Sequence, residues 1–193
     1  RRQRQMCIRD RGTVNPRVFI DRLAKKMPAN VTVVADVGQN QIWTCTEYKF
    51  RKEGRLLTSG GMGTMGYSVP AAIGAKMADN SRATVAICGD GAFQMSFMEL
   101  ATAVQFGVDI KVVVMTNNRL GMVRELQTNG YHDRQTAVFL DGSPDFIKLA
   151  EAYGIPAMRV YDDDTMEKGV EMLAEHKGIC LVEVVVDKDM PTL

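Results

Sequence analysis

Short, predominantly apolar runs recur along this chain, separated by longer stretches in which apolar residues return every three or four positions. The runs cover 31–36, 55–59, 83–88, 110–116, 157–160 and 179–186. They are rich in Val and Ile and apolar on successive residues, as expected of strands covered on both faces. Between them, NPRVFIDRLAKKM (15–27) places Asn15 at an N-cap and Pro16 at the first helical position, with Val18, Leu23 and Met27 roughly on one face. Further helices are predicted from 39–50, 67–78 (with Pro70 in its first turn), 93–107, RLGMVRELQTNGYHD (119–133), from about Asp145, and across 164–176. Strand and helix in alternation predict an α/β fold: a doubly wound, mostly parallel sheet of five or six strands with helices on both faces.

In such sheets ligands bind beyond the carboxyl ends of the strands. Four consecutive strand ends here read DVGQNQ, SGGMGTMG, GDGAFQ and NNRLGM, and so carry glycine, acid or amide. Asp90 supplies an anionic oxygen, and Asn117 or Asn118 supplies an amide oxygen one strand over. Oxygen donors alone suit Mg²⁺ or Ca²⁺, and Mg²⁺ held by few protein ligands usually also binds phosphate oxygens. A helix opening near Ala92 would aim its first amides at the same place.

The formal net charge of +1 excludes a strongly basic nucleic-acid or anionic-membrane surface, and no apolar run reaches the ~18 residues of a membrane span. Four cysteines, Cys7, Cys45, Cys88 and Cys180, stand without CxxC pairing, which fits a reduced, cytoplasmic protein. RRQRQMCIRDR (1–11) differs from the rest; MCIRDR resembles the translation of a transposon-end tag used in sequencing libraries, so residues 1–13 are expected to be a non-native or disordered leader and 14–193 the domain. Without residues 1–11 the side-chain balance becomes about −3.

GDG, 25 further residues and then NN, together with DVGQNQIW, TSGGMGTMGYSVPAAIGA, GDGAFQMSFMELATAVQFG, NNRLGMV and PDFIKLAEAYG, resemble the C-terminal, pyrophosphate-binding domain of the thiamine-diphosphate-dependent acetolactate (acetohydroxyacid) synthases. The likeness runs from about residue 14 to residue 189. It implies Mg²⁺ held by Asp90, Asn117 and the backbone carbonyl of Arg119, with Asn118 as the other candidate. It further implies that Val37, Gly38, Gln39 and Asn40 contact the diphosphate and that Gly63 and Met65 lie beside the aminopyrimidine, Met65 as the wedge that keeps the cofactor bent. Gly91, Ala92, Leu120, Gly121, Met122 and Val123 would complete the wall. The implied reaction is decarboxylation of pyruvate and carboligation to a second 2-oxo acid in branched-chain amino acid biosynthesis, with no catalytic residue of its own in this chain.

Two positions depart from the family: Asn40 stands where a histidine is usual, and Leu126 where a tryptophan linked to the choice of acceptor is usual. The family's activating glutamate sits on a pyrimidine-binding domain, of the same full-length chain or of a partner subunit, and FAD binds to another domain of the full-length enzyme. The resemblance thus implies a homo-oligomer, with a small regulatory subunit as a further partner, and a 193-residue chain that does not turn over alone.

Simpler roles compete at several positions. The methionines are by default core filler, Asp162–Asp164 a helix cap, Glu99 a solvated or capping residue, and Trp43 a packing residue. His132 and His176 are expected on the solvated surface. Two other functions stay open: the separate pyrophosphate-domain subunit of a two-chain 2-oxo acid decarboxylase, and a non-catalytic nucleotide-binding fragment. No GxGxxG follows the first strand, so the signature of a dinucleotide site is missing.

Overall fold

A computed structural model describes residues 12–193. The arginine-rich stretch 1–11, with most of the expected leader, lies outside the described residues. Six strands, β1 (Thr32–Ala35), β2 (Arg55–Thr58), β3 (Thr84–Gly89), β4 (Lys111–Thr116), β5 (Ala157–Val160) and β6 (Cys180–Val185), form one sheet in the order β2-β1-β3-β4-β6-β5. Every neighbouring pair is parallel. β4 is buried at all six positions, which is why its sequence does not alternate.

Two apolar layers cover the sheet. On one face pack α1 (Pro16–Lys26), α2 (Gln39–Glu47) and α8 (Asp163–Glu175), through Phe19, Ile20, Leu23, Trp43, Met166 and Leu173. On the other pack α3 (Ser68–Ala78), α4 (Asp90–Gln94), α5 (Leu100–Gln105) and α7 (Phe146–Ala152), through Val69, Ile73, Phe93, Leu100 and Phe146. The remaining helix, α6 (Gly121–Gly130), stands at the carboxyl end of the sheet, where it follows β4.

The expected caps form. Asn15 accepts from the Arg17 amide at 2.9 Å, Asp145 caps α7, and Asp162 and Thr165 make a reciprocal capping box at α8. Two expectations need correction. Val18 faces outward, and the buried stripe of α1 is Phe19, Ile20, Leu23 and Ala24, with Met27 buried at the C-cap. The single helix expected over 93–107 is three pieces: α4, a 3₁₀ turn at Phe97–Glu99, and α5. The break lies where the glycine-rich loop crosses. A Cβ on Gly66 would stand 3.1 Å from the Met95 Cβ, so an unbroken, straight run of side chains at 95–96 would meet that loop.

Candidate cofactor site

From β1 the chain leaves to β2 on one side, and later β3 pairs with the other side of β1. Open parallel sheets keep a crevice at such a reversal. A cleft opens there, its wall drawn largely from the residues after β1, β3, β4 and β6. Of the positions singled out from sequence, Val37, Gly38, Gln39, Asn40, Met65, Asp90, Gly91, Ala92, Asn117, Arg119, Leu120, Gly121, Met122 and Val123 line it. Gly63 does not: it sits in an exposed turn with φ +66°, a conformation that glycine adopts without cost. Asn118 is not in the wall either.

Asp90 is the anionic centre of the cleft. It opens α4, one residue beyond the end of β3, and is 2% exposed. One carboxylate oxygen accepts from the Gly91 amide at 2.8 Å, and the other from the Asn117 and Asn118 amides at 3.1 and 2.6 Å. Asn118 has φ +54°, which turns two successive N–H groups toward one oxygen; asparagine tolerates that region better than most residues. Burial nevertheless pushes the carboxyl up to about 6, against the lowering by these three amides. Among the described residues no cationic side chain pairs with it, so its charge is held by amide dipoles alone.

Asn117 presents its side chain to the cleft. Its Oδ1 accepts from the Arg119 amide at 3.1 Å and its Nδ2 donates to Gln39 Oε1 at 3.2 Å. Gln39, which opens α2, is buried, and its Nε2 donates to the Met190 carbonyl at 2.9 Å and to Thr192 Oγ1 at 3.0 Å. There is room for that side chain only because residue 121 is glycine: a Cβ there would stand 1.9 Å from Gln39 Oε1. Asn40 likewise turns inward, donating to the carbonyls of Asp36 and Ile87 at 2.8 and 3.2 Å. Its Oδ1 lies where a Cβ of Gly38 would come within 2.6 Å.

Several residues of the site carried no role in the sequence reading. Asp36, fully buried at the end of β1, accepts from the amides of Val37, Gly66 and Ser68 at 2.9, 3.1 and 2.8 Å. It therefore ties the glycine-rich loop to the turn that follows β1. The signal was an acid ending an apolar strand, the same signal that marked Asp90. Leu140 was not foreseen: with Leu120 and the Met65 methyl it packs around Gly91, where an added Cβ would meet all three within 3.2 Å. The Arg119 side chain ties down the segment that carries Leu140, through Asp141 at 2.8 Å and by lying 4.6 Å above the Phe139 ring. Met115 and Val186 add apolar wall.

Trp43 lines the cleft while packed in the core, and its Nε1 donates to the Pro191 carbonyl at 3.2 Å. Leu126 is exposed and outside the wall. Glu99 accepts from Thr102 at 3.2 Å near the start of α5. His132 is exposed, whereas His176 is half-buried at the C-cap of α8, its carbonyl accepting from Lys111. Cys45, Cys88 and Cys180 are free thiols, the last two buried. Among the described residues no helix is long and apolar enough to cross a membrane.

With that geometry in hand, comparison with known proteins is informative. The family model of the thiamine pyrophosphate enzyme C-terminal TPP binding domain matches residues 36–184. The mitochondrial acetolactate synthase catalytic subunit of Aspergillus candidus is 39% identical over 185 residues, 94% of this chain and 26% of its own length. The acetolactate synthase large subunit of Lactococcus lactis is 38% identical over 175 residues, covering 91% of this chain and 30% of its own. For the acetolactate synthase isozyme 2 large subunit of Escherichia coli the figures are 34% over 171 residues, 89% and 31%. The chain thus spans between 26% and 31% of the length of these relatives.

Proposed function

The chain belongs to the thiamine pyrophosphate enzymes, as their C-terminal TPP-binding domain, and from that premise we propose that its cleft holds thiamine diphosphate through Mg²⁺, within an acetolactate synthase-like enzyme. The observation that carries the reading is the Asp90 carboxylate, buried in the cleft wall without a cationic partner among the described residues, with Asn117 and Arg119 in the same wall. A hard divalent cation is the partner such a donor set lacks. The ligands would be Asp90, the Asn117 Oδ1 and the Arg119 carbonyl. Both asparagines serve Asp90 through their backbone amides, and Asn117 is preferred to Asn118 because it lines the cleft, whereas Asn118 does not.

Bound there, the cofactor would supply the electron sink that lets pyruvate lose carbon dioxide and the remaining two carbons join a second 2-oxo acid. The chain's own residues hold and shape. The N-terminal ends of α2 and α4, whose residues Gln39, Asn40, Gly91 and Ala92 line the cleft, would face an anion bound there. Met65, Leu120 and Leu140 close around Gly91, an apolar surface that would help to exclude water from a cofactor bound in the cleft. Gly63 would shape the loop rather than touch the aminopyrimidine.

Acetolactate formation, the acceptor 2-oxo acid, a pyrimidine-binding domain of the same chain or of a partner subunit, a homo-oligomer, a small regulatory subunit, FAD elsewhere in the full-length enzyme and a cytoplasmic location complete the proposal. The full-length protein, given pyruvate, Mg²⁺ and thiamine diphosphate, is expected to release carbon dioxide and accumulate acetolactate. Release of acetaldehyde as the only product would replace this reading with that of a decarboxylase.

Two further outcomes follow from the site. Mg²⁺ must displace the proton that Asp90 binds with a pKa of about 6, so Mg²⁺ affinity should be level above that pH and fall below it. The fall should approach about tenfold per pH unit, with up to one proton released per ion bound. Calorimetric titration in buffers of different ionisation enthalpy measures it. Gly121→Ala should weaken Mg²⁺ binding in the presence of the cofactor by roughly 10- to 100-fold, the usual loss when an outer partner of a metal ligand is disturbed. The added methyl would occupy the place of Gln39 Oε1 and free the Asn117 amide. Dissociation constants for the variant and the parent decide the point.

A further inference from the structure

We infer that Gln39 is a positioning residue, which dictates the end of the Asn117 side-chain amide that faces the cation, and that the segment Met190–Thr192 dictates the orientation of Gln39 in turn. The inference rests on the reading of the cleft as a cation–diphosphate site. It differs from the role expected from sequence, in which Gln39 contacts the diphosphate, because both hydrogens of its amide are already committed elsewhere.

A side-chain amide has a donor end and an acceptor end of nearly the same shape, so its orientation follows from its neighbours. Glu125 accepts from the Thr192 amide at 2.7 Å and from the Thr192 hydroxyl. That hydroxyl, having spent its hydrogen, can only accept from Gln39. The Met190 carbonyl can also only accept. Gln39 Nε2 donates to both, at 3.0 and 2.9 Å, which leaves Oε1 pointing at Asn117. Asn117 must answer with its Nδ2, at 3.2 Å, and its Oδ1 is thereby turned toward the Arg119 amide and the cleft. Reversing Gln39 would set oxygen against two acceptors and NH₂ against NH₂. The direction therefore propagates from Glu125 to Asn117 without an ambiguous step.

The far end of this relay is clamped independently. Trp43 Nε1 holds the Pro191 carbonyl, and Arg17 Nη2 holds the Thr192 carbonyl at 2.6 Å. Residues from α1, α2 and α6 thus converge on three residues near the end of the chain, and the glutamine they orient lies in the wall of the cleft. Docking of Met190–Thr192 and cation binding are, on this account, coupled through one amide.

A double-mutant cycle separates positioning from mere support. Aspartate at 117 offers two equivalent oxygens and needs no orienting; beside it the Gln39 oxygen is repulsive. Mn²⁺ binding to the 193-residue chain, with thiamine diphosphate present, would be counted by electron paramagnetic resonance. Gln39→Met should weaken it about tenfold or more in the parent and should cause no loss, or a gain, in the Asn117→Asp background. Equal losses in both backgrounds would overturn the inference.

A second measurement needs no cation. Solvent exchange of the Asn117 side-chain NH₂, followed by NMR on the metal-free chain, should quicken roughly tenfold in Gln39→Met and also in Thr192→Val. Unchanged exchange in Gln39→Met would refute Gln39 as the holder of that amide. Failure of Mn²⁺ to bind the parent, with exchange behaving as expected, would instead strike at the cation reading and leave the relay standing.

Discussion

Asp90→Ala is expected to abolish cation-dependent binding of thiamine diphosphate, with a loss of more than about a hundredfold, since even outer-shell partners of metal ligands are commonly worth 10- to 100-fold. The carboxylate would be the single anionic ligand of the cation, and two neutral oxygens, from Asn117 and Arg119, hold a hard dication poorly without it. Calorimetric titration of the cofactor with and without Mg²⁺ gives the number. Because the same carboxylate also gathers the amides of Gly91, Asn117 and Asn118, Asp90→Asn is the companion variant. It keeps an acceptor for the two asparagine amides and should melt closer to the parent, yet bind the cofactor as weakly as Asp90→Ala. Near-parental affinity in both variants would mean that the diphosphate is held by something other than a cation on Asp90.

The second large effect falls on stability. Asp36→Ala leaves the amides of Val37, Gly66 and Ser68 without their fully buried acceptor, Ser68 itself buried and Val37 and Gly66 half-buried. Each orphaned buried donor costs about 1–3 kcal/mol, so a total on the order of 3–5 kcal/mol is expected. For a domain of this size that lowers the melting temperature by roughly 10 °C or more. The damage should also be directional: the glycine-rich loop, tied to β1 through Gly66 and Ser68, should lose its amide protection before the sheet does. A melting temperature within about 2 °C of the parent would contradict the role given to Asp36.

Much of this molecule was legible before its coordinates. Apolar runs without alternation announce strands covered on both sides, as β4 is, and a mostly parallel sheet of five or six strands follows from them; the structure has six, all parallel. Asn15 before Pro16, and the acidic run Asp162–Asp164, announce helix starts through hydrogen bonds that are local and therefore visible in sequence. Asp90 and the asparagines were legible as a pair because β3 and β4 are neighbours with a helix between them.

What was not legible depended on tertiary approach. The break in 93–107 is tied to a loop 30 residues away in sequence, and Val18 lost its place in the core because the α1 stripe is centred on Phe19 and Leu23. Gln39 and Asn40, read as diphosphate contacts from the resemblance, turn inward to carbonyls that no spacing rule brings near them. Arg119, read from the resemblance only for its backbone carbonyl, also holds Asp141 and Phe139 with its side chain, from a segment about 20 residues on. Asp36 is different. Its signal was present and of the same kind as that of Asp90, but an acid that only binds amides and an acid that waits for a cation look alike until burial and cleft are known.

The central claim is that one divalent cation sits between Asp90, the Asn117 amide oxygen and the Arg119 carbonyl. Crystals grown with Mn²⁺ and thiamine diphosphate, measured at a wavelength where manganese scatters anomalously, test it most directly. The account predicts a single anomalous peak within coordination distance of those three oxygens and of the cofactor's diphosphate. Bound cofactor with no peak there, or with the manganese on other side chains, would contradict it.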